Sequence, residues 1–329
     1  QVVKKGEDFS SVELEKATQY AAEDALMTLK LFNKQLEIFK QRGEEELLNI
    51  AFELEFNFIY VLASIEQKGI KIDVKLLTEY KDRSLIYLNE LTQNIYEACG
   101  ESFNINSPKQ LGVILFEKLG LASSKKTKTG YSTDESVLES LKNEHKVVPL
   151  LLKYREAFKL HSTYIEPLLE LGLKDSENRV FSSFLHTGTT TGRLSSKNPN
   201  LQNIPVGTFS DIQIRRAFIA QDGYKLVGVD YSQIELRLLA HFSKDEALVN
   251  AFKQDLDIHL QTAIKIFGED EAKDKRAIAK TINFGLLYGM GSKKLSDTLG
   301  ISTKEAKTYI DSYFEAFKSV KDYFKSIED

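Results

Sequence analysis

The stretch Lys273–Gly291, KDKRAIAKTINFGLLYGMG, decides how the rest of the chain is interpreted. Four chemically distinct side chains recur in it at intervals of four, which predicts that they share one face of a helix: Arg276, Lys280, Phe284 and Tyr288. Apolar residues fall on the opposite face and are predicted to pack against the protein: Ile278, Ile282 and Leu286.

The outward face of this predicted helix suits an anion. Arg276 and Lys280 are like charges one turn apart, which disfavours a bare helix but not one with an anion across it. Both precede the helix midpoint, where the helix dipole adds attraction. The face spans about 18 Å at about 1.5 Å per residue, enough for a nucleoside triphosphate. The alternative is a solvated basic face with its aromatics buried against a neighbour.

The segment 276–289, RAIAKTINFGLLYG, resembles motif B of the family A DNA polymerases, the bacterial DNA polymerase I type. The resemblance implies that Arg276 and Lys280 hold the triphosphate of a dNTP. It also implies that Phe284 packs on the incoming nucleotide and that Tyr288 closes the pocket near the templating base.

Residues 225–243, KLVGVDYSQIELRLLAHFS, predict a short apolar strand, LVGV, followed by a helix. Asp230 lies where the strand gives way to the helix, and its oxygens suit Mg²⁺. The alternative is structural, since Ser232 and Glu235 fit a capping box. DYSQIELR resembles motif A of the same family. The resemblance implies that Asp230 is catalytic and binds two Mg²⁺ ions together with the Tyr231 carbonyl.

The same resemblance places more residues at the nucleotide: Ser232, Gln233, Glu235 and His259. Glu235 is expected to exclude a 2′-hydroxyl by bulk and charge, and Tyr288 to hold its carboxylate by a hydrogen bond. His259, at a helix start in LDIHLQTAIKIFG, is similar to the family's histidine near the β-phosphate. A lone helical histidine is otherwise an ordinary surface residue.

TGRLSSKNPNLQNIP, residues 191–205, resembles a palm signature of the family. It follows a Thr- and Ser-rich segment that predicts strands from 179 onward. Four of its side chains can donate to minor-groove acceptors common to all base pairs: Arg193, Asn200, Gln202 and Asn203. Gly207 stands where the family commonly has arginine after NIPV, so the DNA contact that this arginine implies is not expected here.

Basic residues upstream are expected at DNA through the resemblance of this region to the thumb. A lysine-rich loop, residues 123–133, suits sequence-blind phosphate contacts or is merely solvated, and its cations are Lys125, Lys126 and Lys128. A helical stretch, 135–171, carries further candidates: Arg155, Lys159 and Thr163. His161, beside them, is expected to be exposed and inert.

Residues 10–42 predict a helix capped by Ser10 or Ser11. Tyr20 and Asp24 share one face of it, as a surface pair or as the remnant of the family's last exonuclease motif, which YAAEDALMTLKL resembles. Residues 44–100 predict helix throughout, residues 103–120 a helix capped by Ser107 with Pro108 in its first turn, and residues 303–328 one helix.

The chain has 329 residues, a net charge of −4 and one cysteine, Cys99, which fits a reducing compartment. No apolar run approaches the ~18 residues of a membrane span. A first residue other than Met suggests a fragment. With the resemblance, these features predict a monomer without membrane contact in a bacterial cytoplasm, near the nucleoid.

The resemblance implies a mostly helical α+β polymerase right-hand fold, truncated. Its expected parts are an exonuclease end (1–45), a thumb and its base (46–185), a first palm part (186–244) and fingers (245–329). Motif C, with its second catalytic Asp, has no counterpart between 292 and 329.

The expected function is template-directed addition of dNMP to a primer 3′-hydroxyl by two metals in replication and repair. This chain alone is expected to bind primer–template DNA without extending it, because motif C is absent. Two alternatives stay open: a non-catalytic primer–template binding fragment, and a relative of single-subunit RNA polymerases, against which Glu235 speaks.

Overall fold

The computed structural model describes residue 3 and residues 8–122, 126–127, 130–207, 209 and 211–328. Lys125, Lys128 and the side chain of Lys126, predicted at DNA, lie outside the described residues. The chain forms two compact units, Gln1–Leu226 and Val227–Asp329. The division into four parts expected from the sequence stays a prediction.

The first unit is mostly helical. Its α-helices are α1 (Leu14–Arg42), α2 (Glu45–Ile50), α3 (Phe56–Lys68), α4 (Val74–Cys99), α5 (Pro108–Gly112), α6 (Glu135–Ser140), α7 (Val147–Lys159) and α8 (Glu166–Lys174). Three π-helical segments continue or join these helices: Ala51–Glu55, Val113–Lys118 and Leu160–Ile165. The predicted Ser107 cap is present, since its hydroxyl accepts from the Gln110 amide at 3.4 Å.

The strands of the first unit are short and pair antiparallel in twos. The strands are β1 (Ile70–Lys71), β2 (Lys126–Thr127), β3 (Gly130–Tyr131), β4 (Arg179–Val180), β5 (Ser183–Leu185) and β6 (Ser195–Lys197). The pairs are β1 with β4, β2 with β3, and β5 with β6. The prediction of helix throughout 44–100, with its apolar run broken by Gly69, was wrong after that residue, because Gly69, at φ +57°, ends α3 and lets β1 pair with β4.

Two apolar clusters hold the first unit together. One packs α4 against α7 around Leu88, Ile95 and Leu151. The other joins α4, α8 and the π-helical segment 160–165 to the chain around Ile204 and Ile214. The second cluster places the end of α7 beside residues 199–206, where the sequence predicts contacts to DNA.

The second unit consists of helices joined by short loops. They are α9 (Ile234–Ser243), α10 (Glu246–Lys253), α11 (Ile258–Phe267), α12 (Ala272–Leu287), α13 (Ser292–Leu299), α14 (Thr303–Ala316) and α15 (Lys318–Glu328). Residues 303–328, predicted as one helix, form two, because the backbone breaks at Phe317, which is buried in the core of this unit. Ile282 and Leu286 of α12 enter the same core, as predicted.

The predicted strand LVGV is not formed in the structure. Residues 224–230 have no regular secondary structure, and Leu226, Val227 and Val229 are 58%, 83% and 93% exposed. A strand requires a hydrogen-bonded partner, and no described strand pairs with this segment. The prediction of a strand at LVGV was therefore wrong for this structure.

Two predicted helix caps are also absent. Ser10 and Ser11 lie in a 3₁₀ turn capped by Asp8, and α1 begins after Glu13 without a side-chain cap. The residue that precedes α9 is Gln233, whose side chain makes no capping bond. The capping box offered as a structural role for Ser232 and Glu235 is therefore not formed.

One helical stretch, Glu45–Lys68, is long and apolar enough by length and composition to cross a membrane. The expectation that no apolar run approaches the length of a membrane span is therefore wrong for this stretch. Most of its side chains are exposed. A single stretch of this kind also occurs in soluble proteins, so it does not identify a membrane protein.

Candidate functional site

The outward face of α12 is arranged as the spacing predicts. Arg276 and Lys280 are exposed, and Phe284, one turn further, is half-buried. Tyr288 is the residue that ends the helix and is 66% exposed. The next residue, Gly289, has a φ of +71°, which only glycine adopts without strain. Two cations and two rings therefore follow one another along a surface above a packed face.

Arg276 is joined to the start of α11 by an ion pair. Its Nε lies 2.6 Å from Oδ2 of Asp257. The other oxygen, Oδ1, caps α11 by accepting from the amides of His259 and Leu260 at 3.0 and 3.1 Å. Burial raises the pKa of Asp257, but the Arg276 guanidinium and these amides outweigh burial and hold that pKa below its usual value. The hydrogen bond from Arg276 to this carboxylate is made by Nε.

His259, placed by the Asp257 cap in the first turn of α11, lies beside the outward face of α12. Its ring centroid is 5.6 Å from that of Phe284. Only 3% of the residue is exposed, so the alternative of an ordinary surface histidine does not hold. Burial lowers its pKa, opposed by Asp257 and assisted by Arg276 and Lys280. His259 is therefore a neutral ring at ordinary pH.

Glu235 and Tyr288 are joined as the sequence predicts. The phenol oxygen of Tyr288 donates to Oε1 of Glu235 at 2.5 Å. This bond connects the first turn of α9 to the end of α12. It fixes the Glu235 carboxylate away from the helix cap that the alternative reading required.

Asp230 and Tyr231 lie just before α9, and both are exposed. A carboxylate and a backbone carbonyl are oxygen ligands of the kind that Mg²⁺ prefers. The donor set is incomplete, because no group of three or more His, Cys, Asp or Glu residues able to hold a metal occurs in the part of the chain that the structure describes. The two residues fit one side of a divalent-metal site.

The first unit contains a groove of about 630 Å³ that brings together five of the predicted DNA-contacting residues: Lys159, Thr163, Asn200, Gln202 and Asn203. The Tyr164 hydroxyl donates to the Asn203 carbonyl at 2.7 Å and so fixes one wall to the other. Arg215 also lines the groove. No acidic side chain does so among the described residues, which suits a polyanion.

The remaining predicted DNA contacts lie elsewhere. Arg155 donates from its guanidinium to the carbonyl and hydroxyl of Thr133 and does not line the groove. Arg193 is exposed beyond the groove lining. His161, expected to be exposed, was wrongly predicted: it is 7% exposed, and its Nδ1 lies 2.8 Å from the Ser84 hydroxyl.

Tyr20 and Asp24 are together on α1, as their spacing predicts. Asp24 raises the pKa of Tyr20 by its charge and by a hydrogen bond. The pair does not belong to a metal site among the residues described, because no group of three metal-ligating side chains lies near it. The exonuclease reading of this pair stays a prediction.

Sequence reasoning missed two residues that the structure brings to these sites. Arg215 donates from Nη2 to the Ile204 carbonyl at 3.0 Å and lines the groove. Its signal was the Arg215–Arg216 pair in a segment otherwise poor in charge. Asn283, fully buried, contacts His259 and Thr262. A polar residue on the packed side of an amphipathic helix was the signal for Asn283.

Comparison with known proteins identifies the family of this chain. The profile of DNA polymerase family A matches residues 74–329. DNA polymerase I of Helicobacter pylori strain J99 is 50% identical over 305 residues, covering 92% of this chain and 33% of the relative. DNA polymerase I of Bacillus subtilis is 45% identical over 312 residues, covering 94% and 35%. The chain thus spans about a third of the length of these curated relatives.

A solved structure shows the same fold. It is the POL domain of Pol1 from M. smegmatis in complex with DNA primer–template and dNTP. The TM-score is 0.78 at 36% identity, over 88% of this chain and 51% of that one. The mostly helical polymerase fold predicted from the sequence is confirmed by this likeness. Through the family match over most of its length and this shared fold, the chain belongs to DNA polymerase family A.

Proposed function

We propose that this chain forms the nucleotide-binding and part of the primer–template-binding region of a DNA-directed DNA polymerase. The observation that carries the proposal is the outward face of α12, where Arg276, Lys280 and Phe284 lie one turn apart above a packed face. The similar M. smegmatis domain, whose structure includes DNA primer–template and dNTP, supports it.

The triphosphate lies along the first half of this face. Arg276 keeps its Nη groups for phosphate oxygens while Asp257 holds Nε, and Lys280 adds a second charge one turn on. His259 donates a hydrogen bond without adding a charge. These groups are in place before the nucleotide arrives, so binding costs little free energy of reorganisation.

The sugar and base lie along the second half. Phe284 offers an apolar ring to the nucleotide, and Tyr288 holds the Glu235 carboxylate at 2.5 Å. A carboxylate fixed beside the 2′ carbon excludes a ribonucleotide by bulk and by an unpaired contact. Ser232 and Gln233 complete this end of the pocket.

Asp230 and the Tyr231 carbonyl would hold the divalent metal, which we assign as Mg²⁺ from its preference for oxygen ligands. A pair of such ions, when bound, lowers the pKa of the attacking 3′-hydroxyl and stabilises the leaving pyrophosphate. The side chain of Asp230 positions that charge, and Arg276 and Lys280 neutralise the phosphates. The full site requires a second acid. The described residues contain no group of acids with Asp230 that could provide it.

The groove of the first unit takes the duplex. Lys159 and Arg215 contact phosphates, which positions DNA without reading its sequence. Asn200, Gln202 and Asn203 donate to the degenerate acceptors of the minor groove, which tests the shape of a base pair.

The protein acts as a monomer in the bacterial cytoplasm, at the nucleoid.

Substituting the two cations tests the proposal. In a chimera in which this chain replaces the matching segment of B. subtilis DNA polymerase I, Arg276→Ala and Lys280→Ala are expected to raise the KM for dNTP roughly tenfold to hundredfold, because each removes a bond to a charged phosphate. The Kd for primer–template should change little. Steady-state kinetics and fluorescence anisotropy measure the two quantities.

Lys275→Ala is the matched control, because Lys275 lies on the same helix but contacts Glu271 at 4.0 Å and the Phe267 ring at 5.7 Å. It should leave both constants unchanged. Equal losses of nucleotide and DNA affinity in the Arg276 and Lys280 variants would refute a phosphate role.

A second candidate, a non-catalytic primer–template binding fragment, is favoured by one observation: Asp230 has no acidic neighbour that completes a metal site in the described residues. It predicts duplex binding that does not respond to dNTP or Mg²⁺. A relative of single-subunit RNA polymerases is disfavoured by the fixed Glu235 carboxylate.

A further inference from the structure

Asn283 lies at the centre of a buried polar network behind the outward face of α12. It is completely buried, on the packed side of α12, between Ile282 and Phe284. Its Nδ2 lies 3.1 Å from Nδ1 of His259 and 3.0 Å from Oγ1 of Thr262. A buried amide costs free energy unless it is hydrogen-bonded, and these contacts satisfy it.

The Thr262 hydroxyl contacts both ends of the amide. Its oxygen lies 3.2 Å from Oδ1 of Asn283 and 2.8 Å from the Ile258 carbonyl, one turn back in α11, and its hydrogen can be donated to either. The same Oγ1 accepts from Nδ2 of Asn283. Both hydrogens of the amide nitrogen are used, one on Thr262 and the other on Nδ1 of His259.

The other ring nitrogen of His259, Nε2, is free for a ligand. It makes no hydrogen bond within the described residues, where no fully buried side-chain nitrogen or oxygen lacks a partner. Nε2 is therefore the atom of this nearly buried ring that solvent reaches. A ring that accepts at Nδ1 carries its proton at Nε2.

We propose that Asn283 is a positioning residue that holds His259 in the Nε2–H tautomer, so that the ring presents a neutral hydrogen-bond donor to the triphosphate. The inference rests on the proposed function for its ligand, but not for the tautomer itself. In this proposal, Arg276 and Lys280 neutralise the charge of the triphosphate, and His259 gives it a directional hydrogen bond. A donor that is already neutral does not add to the repulsion between the two cations before the nucleotide arrives.

The tautomer is measurable without any ligand. In purified chain labelled with ¹⁵N at histidine, the long-range ¹H–¹⁵N spectrum distinguishes a pyrrole-type from a pyridine-type nitrogen at each ring position. We expect Nε2 of His259 to be protonated and Nδ1 to be unprotonated at pH 7.5. A protonated Nδ1 would mean that the amide presents its oxygen instead, and it would overturn the proposal.

Asn283→Asp is the sharpest variant, because it replaces the donor by an acceptor of the same shape. We expect the proton to move to Nδ1 and the ring to titrate at higher pH, since a carboxylate then joins Asp257 against Arg276 and Lys280. Above that pH, Nε2 becomes an acceptor, and the affinity for dGTP–Mg²⁺ in calorimetry should fall roughly tenfold. Asn283→Ala, which is free of a buried charge, should give a mixture of tautomers.

Ser296→Ala is the matched control, because Ser296 is another buried polar residue of the same unit, 3.4 Å from the Thr303 hydroxyl. It should leave the His259 spectrum unchanged. An unchanged tautomer in Asn283→Asp would overturn the role of Asn283.

Inorganic tripolyphosphate and dGTP–Mg²⁺ separate this inference from the proposed function. Failure of the wild-type chain to bind either ligand, with the expected tautomer present, counts against the proposed function alone. Binding of both with a protonated Nδ1 counts against this inference alone.

Discussion

At the scale of single residues, Glu235 shows how a sequence pattern with two readings is resolved. The same carboxylate could cap α9 or face a nucleotide, and both readings use the residue type equally well. The hydrogen bond from Tyr288 excludes the cap, because it holds Glu235 at the end of α12, and the role at the nucleotide stays a prediction. The partner of a side chain, rather than its place in a motif, indicates its role.

Substitutions at this pair test sugar selection. In the B. subtilis chimera, Glu235→Ala should raise the ratio of rNTP to dNTP incorporation at least tenfold, because the group beside the 2′ carbon is removed. Tyr288→Phe removes only the phenol oxygen and should raise the ratio less. Single-nucleotide extension with each substrate measures both effects.

Leu238→Ala, an exposed position on the same helix, is the control and should leave the ratio unchanged. A Glu235→Ala chimera that still rejects ribonucleotides would show that another residue excludes the 2′-hydroxyl.

At the scale of elements, the π-helical segment Leu160–Ile165 carries both a buried histidine and part of the groove. Nδ1 of His161 meets Ser84 at 2.8 Å, and its Nε2 lies 3.8 Å from Glu166, which also pairs with Lys81. Burial lowers the pKa of His161, with Glu166 acting against the shift and Lys81 in its favour. The unfolded chain therefore takes up this proton more readily than the folded chain.

The folded state should accordingly lose stability as pH falls from 7.5 through the unfolded histidine pKa of about 6.5. The contribution of His161 is fully present above that value. His161→Gln should be less stable at pH 7.5 but should depend less on pH between 7.5 and 5.5. Urea unfolding at several pH values gives the free energies, and exposed His241→Gln is the control. Equal pH slopes in wild type and His161→Gln would contradict the assignment.

Helices were predictable from the sequence where their own residues decide them. The spacing of Arg276, Lys280 and Phe284 gave the correct face of α12, and Ser107 gave the correct start of α5. What failed depends on distant partners. The LVGV strand needs a neighbouring strand, and the burial of His161 needs Ser84, which is 77 positions away in sequence. Asn283 escaped notice because its partners lie on another helix.

At the scale of the whole molecule, the residues that the structure describes supply one acid, Asp230, to the proposed metal site. Two-metal transfer requires more than a single carboxylate to hold two ions. We expect the purified chain to bind primer–template DNA but to extend no primer with dNTP and Mg²⁺ in a gel assay. The chimera, which adds the rest of a polymerase, should extend the same primer. Extension by the chain alone at a rate near that of the chimera would refute this expectation.

The uncovered segment 224–230 has a practical consequence for any sample of this chain. A segment with exposed valines that belongs to no described strand is a template on which a second copy can add as a strand. Concentrated solutions should therefore cloud on standing, and more quickly when warmed, because apolar association strengthens with temperature. Dilute, cold storage and a charged substitution such as Val229→Lys would keep the chain in solution.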